Sequence, residues 1–114
     1  MQKAKIVLTR FPFTDLSSSK RRPALVLIDT DVSEPDTIVA FISSVLTESQ
    51  SLSDLIIADN HADFEKTGLH KTSVIKLDKL ATLNKSIFTG EMGELSKALF
   101  SEAQEKLKQA LQML

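Results

Sequence analysis

The chain has 114 residues, 42% of them hydrophobic and 25% charged, which is the balance of an ordinary globular protein and suits one domain over 1–114. Its net charge of −1 argues against a protein that coats nucleic acid nonspecifically, and the absence of cysteine excludes disulfides and thiolate metal sites. The sequence contains neither a secretory-type apolar run nor one long enough to span a bilayer, so we expect a cytoplasmic protein.

The first two-thirds of the chain predict short strands separated by polar breaks. Apolar runs indicate strands at 6–8, 24–28, 38–42, 54–58 and 72–77, and the polar stretches 15–20 and 29–36 indicate loops. The run at 24–28 is continuously apolar, which is typical of a strand buried on both faces. Several short strands with turn signals between them favour a small barrel or sandwich.

The last twenty residues change to a helical period. Apolar residues recur there mostly every four positions, and the opposite face is charged; the stripe consists of Leu95, Leu99, Phe100, Ala103, Leu107, Ala110, Leu111 and Leu114. Ser96 follows a break at Gly93 and is a suitable N-cap. We therefore expect an amphipathic helix that packs on the β-structure.

The densest basic cluster is Lys20, Arg21 and Arg22, and the only other arginine is Arg10. The cluster belongs to the segment 11–26, FPFTDLSSSKRRPALV, in which an aromatic–proline turn and a polar loop precede an Arg–Pro pair and an apolar strand. This arrangement resembles the opening of the MazF/PemK toxin family. The segments 38–44 (IVAFISS), 68–78 (GLHKTSVIKLD), 80–88 and 93 onward are similar to later parts of that family, in the same order.

The resemblance implies a mainly β (α+β) fold, a small SH3-like β-barrel with a C-terminal amphipathic α-helix. It also implies a homodimer that cleaves single-stranded RNA without a metal or other cofactor and is inhibited by a cognate antitoxin protein. Three features depart from the family pattern. Ser43 stands where the family typically has threonine, and Ala4 stands where it usually has glycine before the first strand. The loop at 17–19 lacks the Ser-Glu-Gln type of sequence that some members have.

By this resemblance Arg22 is the catalytic arginine and Ser43 the catalytic hydroxyl. Metal-independent cleavage uses the neighbouring 2′-hydroxyl as nucleophile, and a guanidinium can bind two oxygens of the charged phosphate at once. Because a guanidinium stays protonated and is a poor base, we assign Arg22 to transition-state stabilisation. Taken without its motif, Arg22 would more simply be a surface charge paired with an acid. Serine lacks the methyl that restricts χ1 of threonine, so Ser44 is an alternative source of the hydroxyl.

Polar and basic residues near this motif are candidates for binding RNA: Thr14, Asp15, Ser17, Ser18, Lys20, Arg21, Ser44 and Lys71. A simple polar turn is an equal alternative for the loop residues among them. Phe11 and Phe13 are of a type that stacks on bases, although aromatic residues in strands more often belong to the core.

Other constellations predict no site. His61 and His70 lack the thiolates or paired carboxylates of a metal centre, and His70 is expected to be exposed to solvent. The pair Gly90 and Gly93 is expected to form a turn and not a phosphate-binding loop. The scattered acids that we expect to be solvated in loops are Asp54, Asp59 and Asp63.

Two other functions stay open at this point. A degenerate family member would bind RNA or antitoxin without cutting, which is compatible with Ser43 and with the near-neutral charge. A gyrase-poisoning toxin with the same barrel would, by resemblance, depend on a tryptophan near its C-terminus, and this chain has no tryptophan.

Overall fold

The computed structural model describes residues 1–10, 20–46 and 51–113. Within those ranges the elements are β1 (Lys5–Arg10), β2 (Arg21–Val26), β3 (Asp36–Ser43), β4 (Asp54–Ile57), α1 (Phe64–Thr67), β5 (Ser73–Asn84), β6 (Phe88–Glu94) and α2 (Lys97–Ala110), with a short 3-10 turn at Lys85–Ile87. The predicted strands correspond to β1–β5, whereas β6 and α1 have no predicted counterpart.

The six strands form one antiparallel sheet in the order β4-β5-β3-β2-β1-β6. Strand β5 is long because it pairs with β4 over its first four residues, 73–76, and with β3 over 74–76 and 80–84. The register between β3 and β5 shifts after Ala40, which pairs with Leu80, while the next residue, Phe41, pairs with Lys76. The extra residues of β5 at this shift, 77–79, have no partner in β3, and irregularities of this kind bend a strand locally.

The expected barrel is in fact an open sheet of barrel-like shape. Among the described residues, β4 and β6 are the two edges and each has one strand neighbour. The prediction of a mainly β, barrel-like fold with a C-terminal helix is confirmed. Closure requires hydrogen bonds between the edge strands, and strand periodicity within one sequence carries no information about them.

Apolar side chains fill both faces of the sheet, which explains the continuous apolar run of β2. Leu25 lies in the larger cluster with Ile6 and Ile75, beneath both helices. Ala24 and Val26 lie in a smaller cluster on the opposite face, and these first three residues of the run are 0% exposed. The expectation of a strand buried on both faces holds for 24–26, whereas β2 ends at Val26 and Ile28, the last residue of the predicted strand, is 38% exposed.

Helix α2 begins where the sequence predicts. The Ser96 Oγ accepts a hydrogen bond from the Leu99 N–H at 3.2 Å, which is the N-cap interaction expected of serine. Leu99, Phe100 and Ala103 are buried against the larger cluster. The predicted apolar stripe extends further than the packing does: α2 ends at Ala110, Leu111 is 52% exposed, and Leu114 lies outside the described residues.

The glycines predicted to form a turn lie instead within β6. The reason is steric, because α1 packs directly on this strand. A Cβ on Gly93 would overlap the backbone carbonyls of Lys66 and Thr67, and a Cβ on Gly68, which has a φ of +73°, would overlap that of Met92. Gly93 and Gly68 therefore permit the backbones of β6 and of the α1 segment to come into direct contact.

Ala4 adopts a φ of +77°, in the left-handed region that favours glycine. Its N–H donates to the Val26 carbonyl and its carbonyl accepts from the Leu95 N–H, both at 2.9 Å. These bonds tie the start of β1 to the end of β2 and to the approach to α2. This left-handed conformation explains why glycine is usual in the family at this position. Alanine adopts the conformation here with backbone strain, which lowers the stability of the fold.

No helix in the described part of the chain is long and apolar enough to cross a membrane.

Candidate functional site

The antiparallel order brings several sequence-predicted site residues to one end of the sheet. At this end β1 and β3 finish, whereas β2 and β5 begin. We call it the basic end because it carries all three arginines of the chain and two of its lysines: Arg10, Lys20, Arg21, Arg22 and Lys71. All five side chains are exposed.

Arg22 and Ser43 occupy corresponding positions on neighbouring strands. The recorded pairing of β2 with β3 runs from Val26–Val39 to Ala24–Phe41, and Arg22 and Ser43 lie two residues beyond it on each strand. Side chains alternate along a strand, so both project from the face that bears the smaller apolar cluster. The register thus brings a guanidinium and a hydroxyl to the same end and the same face.

Ser43, and not Ser44, is the hydroxyl held by the fold. Ser43 is half-buried at the end of β3, and its Oγ accepts a hydrogen bond from the Val45 N–H at 3.1 Å. Because the oxygen is the acceptor there, the hydroxyl can still donate its own proton to a phosphate oxygen. Ser44 lies beyond the strand and is exposed.

Arg22 extends from a rigid part of the sheet. Its partner across the β1–β2 ladder is Thr9, which is completely buried, while Arg22 itself is exposed. The base of the arginine is therefore fixed by a packed strand and its guanidinium reaches solvent. Such a position suits a charge that must meet an incoming ligand without first folding around it.

The remaining predicted RNA-binding residues divide into two groups. Lys71 is exposed just before β5, where its carbonyl accepts a hydrogen bond from the Ser73 Oγ at 2.8 Å. The others, together with both aromatic candidates, lie outside the described residues: Phe11, Phe13, Thr14, Asp15, Ser17 and Ser18.

An ion pair that was not predicted from the sequence lies on the same face of the sheet. Lys76 lies between Phe41 of β3 and Asp54 of β4, and its Nζ is 2.8 Å from the Asp54 carboxylate. The interpretation of Asp54 as a solvated loop acid is therefore wrong, since it is a buried strand residue. Lys76 was visible in the sequence as a charge within an apolar alternation, although its partner was not.

The Asp54 carboxylate is stabilised in its charged form. Burial by itself would raise its pKa, but hydrogen bonds from Lys76 and Ser51 and the positive charge of Lys76 outweigh that effect and lower the pKa below its ordinary value. The ion pair thus links β4 to β5 on the face of the sheet that carries Ser43.

The described residues contain no cluster of three histidine, cysteine or acidic side chains that could hold a metal ion. His70 is exposed, as expected, and so is His61, whose Nδ1 accepts a hydrogen bond from the Asp63 N–H at 2.9 Å.

Comparison with known proteins gives a family and a fold. A family model described as PemK-like, MazF-like toxin of type II toxin-antitoxin system matches residues 2–111. No curated protein sequence matches the chain.

Several solved structures are similar over nearly the whole length. An endoribonuclease in complex with its cognate antitoxin from a mycobacterial species is 13% identical, with a TM-score of 0.75, covering 100% of this chain and 97% of the other. The Mycobacterium tuberculosis toxin MazF-mt6 is 18% identical, with a TM-score of 0.75 and coverages of 96% and 98%. A chain of the MazE–MazF structure (form III) from Deinococcus radiodurans is 19% identical, with a TM-score of 0.75 and coverages of 100% and 98%. At these identities the likeness shows a shared fold.

Proposed function

We propose that this chain, which belongs to the family of PemK-like, MazF-like toxins of type II toxin–antitoxin systems, is a metal-independent endoribonuclease that cleaves single-stranded RNA. The observation that carries the proposal is the register of β2 and β3, which brings Arg22 and Ser43 to one face at the basic end. A polyanionic substrate would be drawn to this end by the exposed charges around Arg22.

The proposed reaction is an internal displacement. The 2′-oxygen attacks the adjacent phosphorus, the bond from phosphorus to the 5′-oxygen breaks, and the products are a 2′,3′-cyclic phosphate and a 5′-hydroxyl end. The 2′-hydroxyl loses its proton to water, and the departing 5′-oxygen takes one up. Since the nucleophile belongs to the substrate, no metal-bound hydroxide is required for attack.

In this reaction Arg22 stabilises the charge that develops on the phosphoryl oxygens. The guanidinium fork can bind two of them, and a guanidinium stays charged throughout such a reaction. A fixed donor of this kind contributes about 3–4 kcal/mol to lowering the barrier. Ser43 would donate its hydroxyl proton to the same phosphate and hold it in line for attack.

The proposal includes the partners of such a toxin. A cognate antitoxin would cover the Arg22 site with an acidic segment, and the toxin would act in the cytoplasm as a homodimer. The similarity to an endoribonuclease solved with its cognate antitoxin supports this view. If deleting the antitoxin's acidic tail left inhibition intact, this part of the proposal would be wrong.

The test is cleavage of a long mixed-sequence RNA in excess chelator, followed by mapping of the new ends. The proteins compared are the natural chain, Arg22→Ala, and Lys97→Ala as a matched control. Lys97 is an exposed cation at the start of α2, three residues past β6 and away from the basic end. We expect recurrent cuts with 5′-hydroxyl ends, a loss of about 10²–10³-fold in rate with Arg22→Ala, and no change with the control.

Two results would contradict the proposal in different ways. Intact RNA with the folded natural protein would favour a toxin-family member that binds without cutting. Cuts that persist at full rate in Arg22→Ala would keep the activity but remove Arg22 from the mechanism.

A further inference from the structure

The β1–β2 ladder places two arginines directly opposite each other. Arg10 at the end of β1 pairs in register with Arg21 at the start of β2, without a register shift anywhere in this ladder. Directly opposed residues project from the same face, with Cβ atoms about 4.5–5.5 Å apart. We call these two residues the arginine pair.

The arginine pair lies on the other face of the sheet from Arg22. Side chains alternate along each strand, so Arg10 and Arg21 share the face of Ile6 and Leu25, while Arg22 shares the face of Ala24. The pair is therefore separate from the candidate site, although Arg21 and Arg22 are neighbours in the chain.

Nothing in the described part of the chain neutralises the arginine pair. The salt bridges there join Lys5 to Glu94, Lys76 to Asp54 and Lys108 to Glu105. Neither Arg10 nor Arg21 takes part in a side-chain hydrogen bond or ion pair with another described residue. Both are exposed, so packing does not require them either.

Two like charges held opposite each other destabilise a sheet. A bound anion would remove this repulsion. Guanidinium groups are suited to phosphate in particular, because each presents paired N–H donors that match two oxygens of one phosphate.

We propose that the arginine pair is a second phosphate-binding site that holds the RNA backbone outside the cleavage site. The inference rests on the proposed function, since that function brings RNA to Arg22, the residue next to Arg21. An RNA strand bound at Arg22 carries further phosphates that can reach the same end of β1 and β2. The pair increases the affinity for the flanking nucleotides and orients the RNA backbone, and it takes no part in bond breaking.

The test measures binding without cleavage. A mixed-sequence 2′-O-methyl RNA lacks the attacking hydroxyl, so its affinity can be measured with the natural protein by fluorescence anisotropy. The variants are Arg10→Gln, Arg21→Gln and the double variant, with Lys97→Gln as the charge-matched control. Each measurement is repeated between roughly 50 and 200 mM monovalent salt, the range over which phosphate contacts change affinity steeply.

We expect each arginine removed to lower the slope of log affinity against log salt by about 0.7, and affinity near 0.1 M salt to fall about fivefold. The double variant should fall about 25-fold, whereas Lys97→Gln should stay within about twofold. The same arginine variants should melt roughly 1–3 °C higher than the natural protein without RNA, because the repulsion is gone. A residue with a merely structural role would not lower affinity while raising the melting temperature.

Three outcomes would overturn the inference. Unchanged affinity and salt slope in the double variant, with RNA still bound by the natural protein, would remove the site and leave the proposed function intact. Poly-glutamate, measured by the same anisotropy assay, serves as an acidic polypeptide probe. If the double variant lost affinity for poly-glutamate but not for RNA, the arginine pair would be assigned to an acidic protein partner. If the natural protein neither binds nor cuts RNA, the proposed function fails and this inference fails with it.

Discussion

The two ends of the sheet present different charged side chains and are built differently. The basic end holds Arg22 and the arginine pair, all of which are exposed. The opposite end, which we call the acidic end, carries Asp29, Asp31 and Glu34 in the loop after β2 and Asp36 at the start of β3. A surface groove lies at the acidic end, lined by these acids and by Ile28, Thr30, Ser33, Thr37, Ile38 and Thr82.

Polar groups at the acidic end are used to hold the fold together. The Asp29 carboxylate accepts the Lys3 N–H at 2.9 Å, and the amino terminus donates to the Thr30 carbonyl at 2.7 Å. The Lys85 Nζ donates to the Asp31 carbonyl at 2.9 Å. At the basic end, Arg10 and Arg21 repel one another across a ladder. The acids that line the groove disfavour a polyanion, whereas the exposed cations of the basic end favour one, so the proposed RNA site lies away from the groove.

The largest expected effect on stability lies away from the basic end. We expect Gly93→Ala to lower the free energy of unfolding by about 3 kcal/mol, because its Cβ would overlap the backbone of α1. Gly90→Ala is the matched control, since a Cβ at Gly90 would meet nothing within 4 Å. Thermal or urea unfolding measures both, and equal stability of the two variants would contradict the close approach of β6 and α1.

The Asp54–Lys76 pair tests stability on the face that also carries Arg22. Asp54→Asn should lower the free energy of unfolding by about 2 kcal/mol at neutral pH, because Lys76 loses its partner in a mostly buried position. The exposed acid Asp78 supplies the control variant Asp78→Asn, which should change stability by less than about 0.5 kcal/mol.

The pH dependence of this pair follows from its pKa. The folded-state pKa of Asp54 lies below its ordinary value of 3.8, so the carboxylate stabilises the fold fully above that pH. As the pH falls through the lowered pKa, this stabilisation is lost. The difference between the natural protein and Asp54→Asn should therefore shrink in acid, and a difference that grew below pH 3.8 would contradict the assigned shift.

A smaller effect of the opposite sign is expected at the start of β1. Ala4→Gly should raise the free energy of unfolding by about 1 kcal/mol, because glycine adopts the φ of +77° without the strain that alanine incurs. Ala110→Gly makes the same chemical change within α2 and should lower stability by about 0.5–1 kcal/mol. Denaturation curves for the two variants should shift in opposite directions. A shift in the same direction would show that backbone conformation does not control the effect.

The smallest predicted effect lies at the basic end and concerns rate and not stability. Ser43→Thr should raise the RNA cleavage rate by up to about threefold, because the added methyl restricts χ1 and holds the hydroxyl in one orientation. Ser44→Thr is the control and should have no effect, since Ser44 is exposed beyond the strand. If only Ser44→Thr altered the rate, the assignment of the hydroxyl to Ser43 would be wrong.

The sequence predicted local elements well because their signals are local. The N-cap at Ser96 and the buried residues Leu99 and Ala103 follow from capping chemistry and from a helical period. Strand β2 follows from a continuous apolar run. Strand β6 was missed because Gly90 and Gly93 read as turn residues. The strand needs its second glycine only where α1 lies against it, and that contact joins distant parts of the chain.

The candidate site was predicted in part for the same reason. The sequence identified Arg22 and Ser43 separately, through a motif and a resemblance. It did not identify the cross-strand pairing of Arg10 with Arg21 or the ion-pair partner of Lys76, because both depend on strand register.

By itself, the amino-acid sequence determined the fold class, the C-terminal helix and the family resemblance of this protein. Those properties depend on side-chain periodicity and on short motifs. Only the tertiary structure decided that β4 and β6 are the edges of the sheet among the described residues, that Arg22 and Ser43 share a face, and that the arginine pair lies on the other. The physical reason is that hydrogen bonds between distant strands fix the register, and a register slip of one residue would move every side chain of a strand to the opposite face.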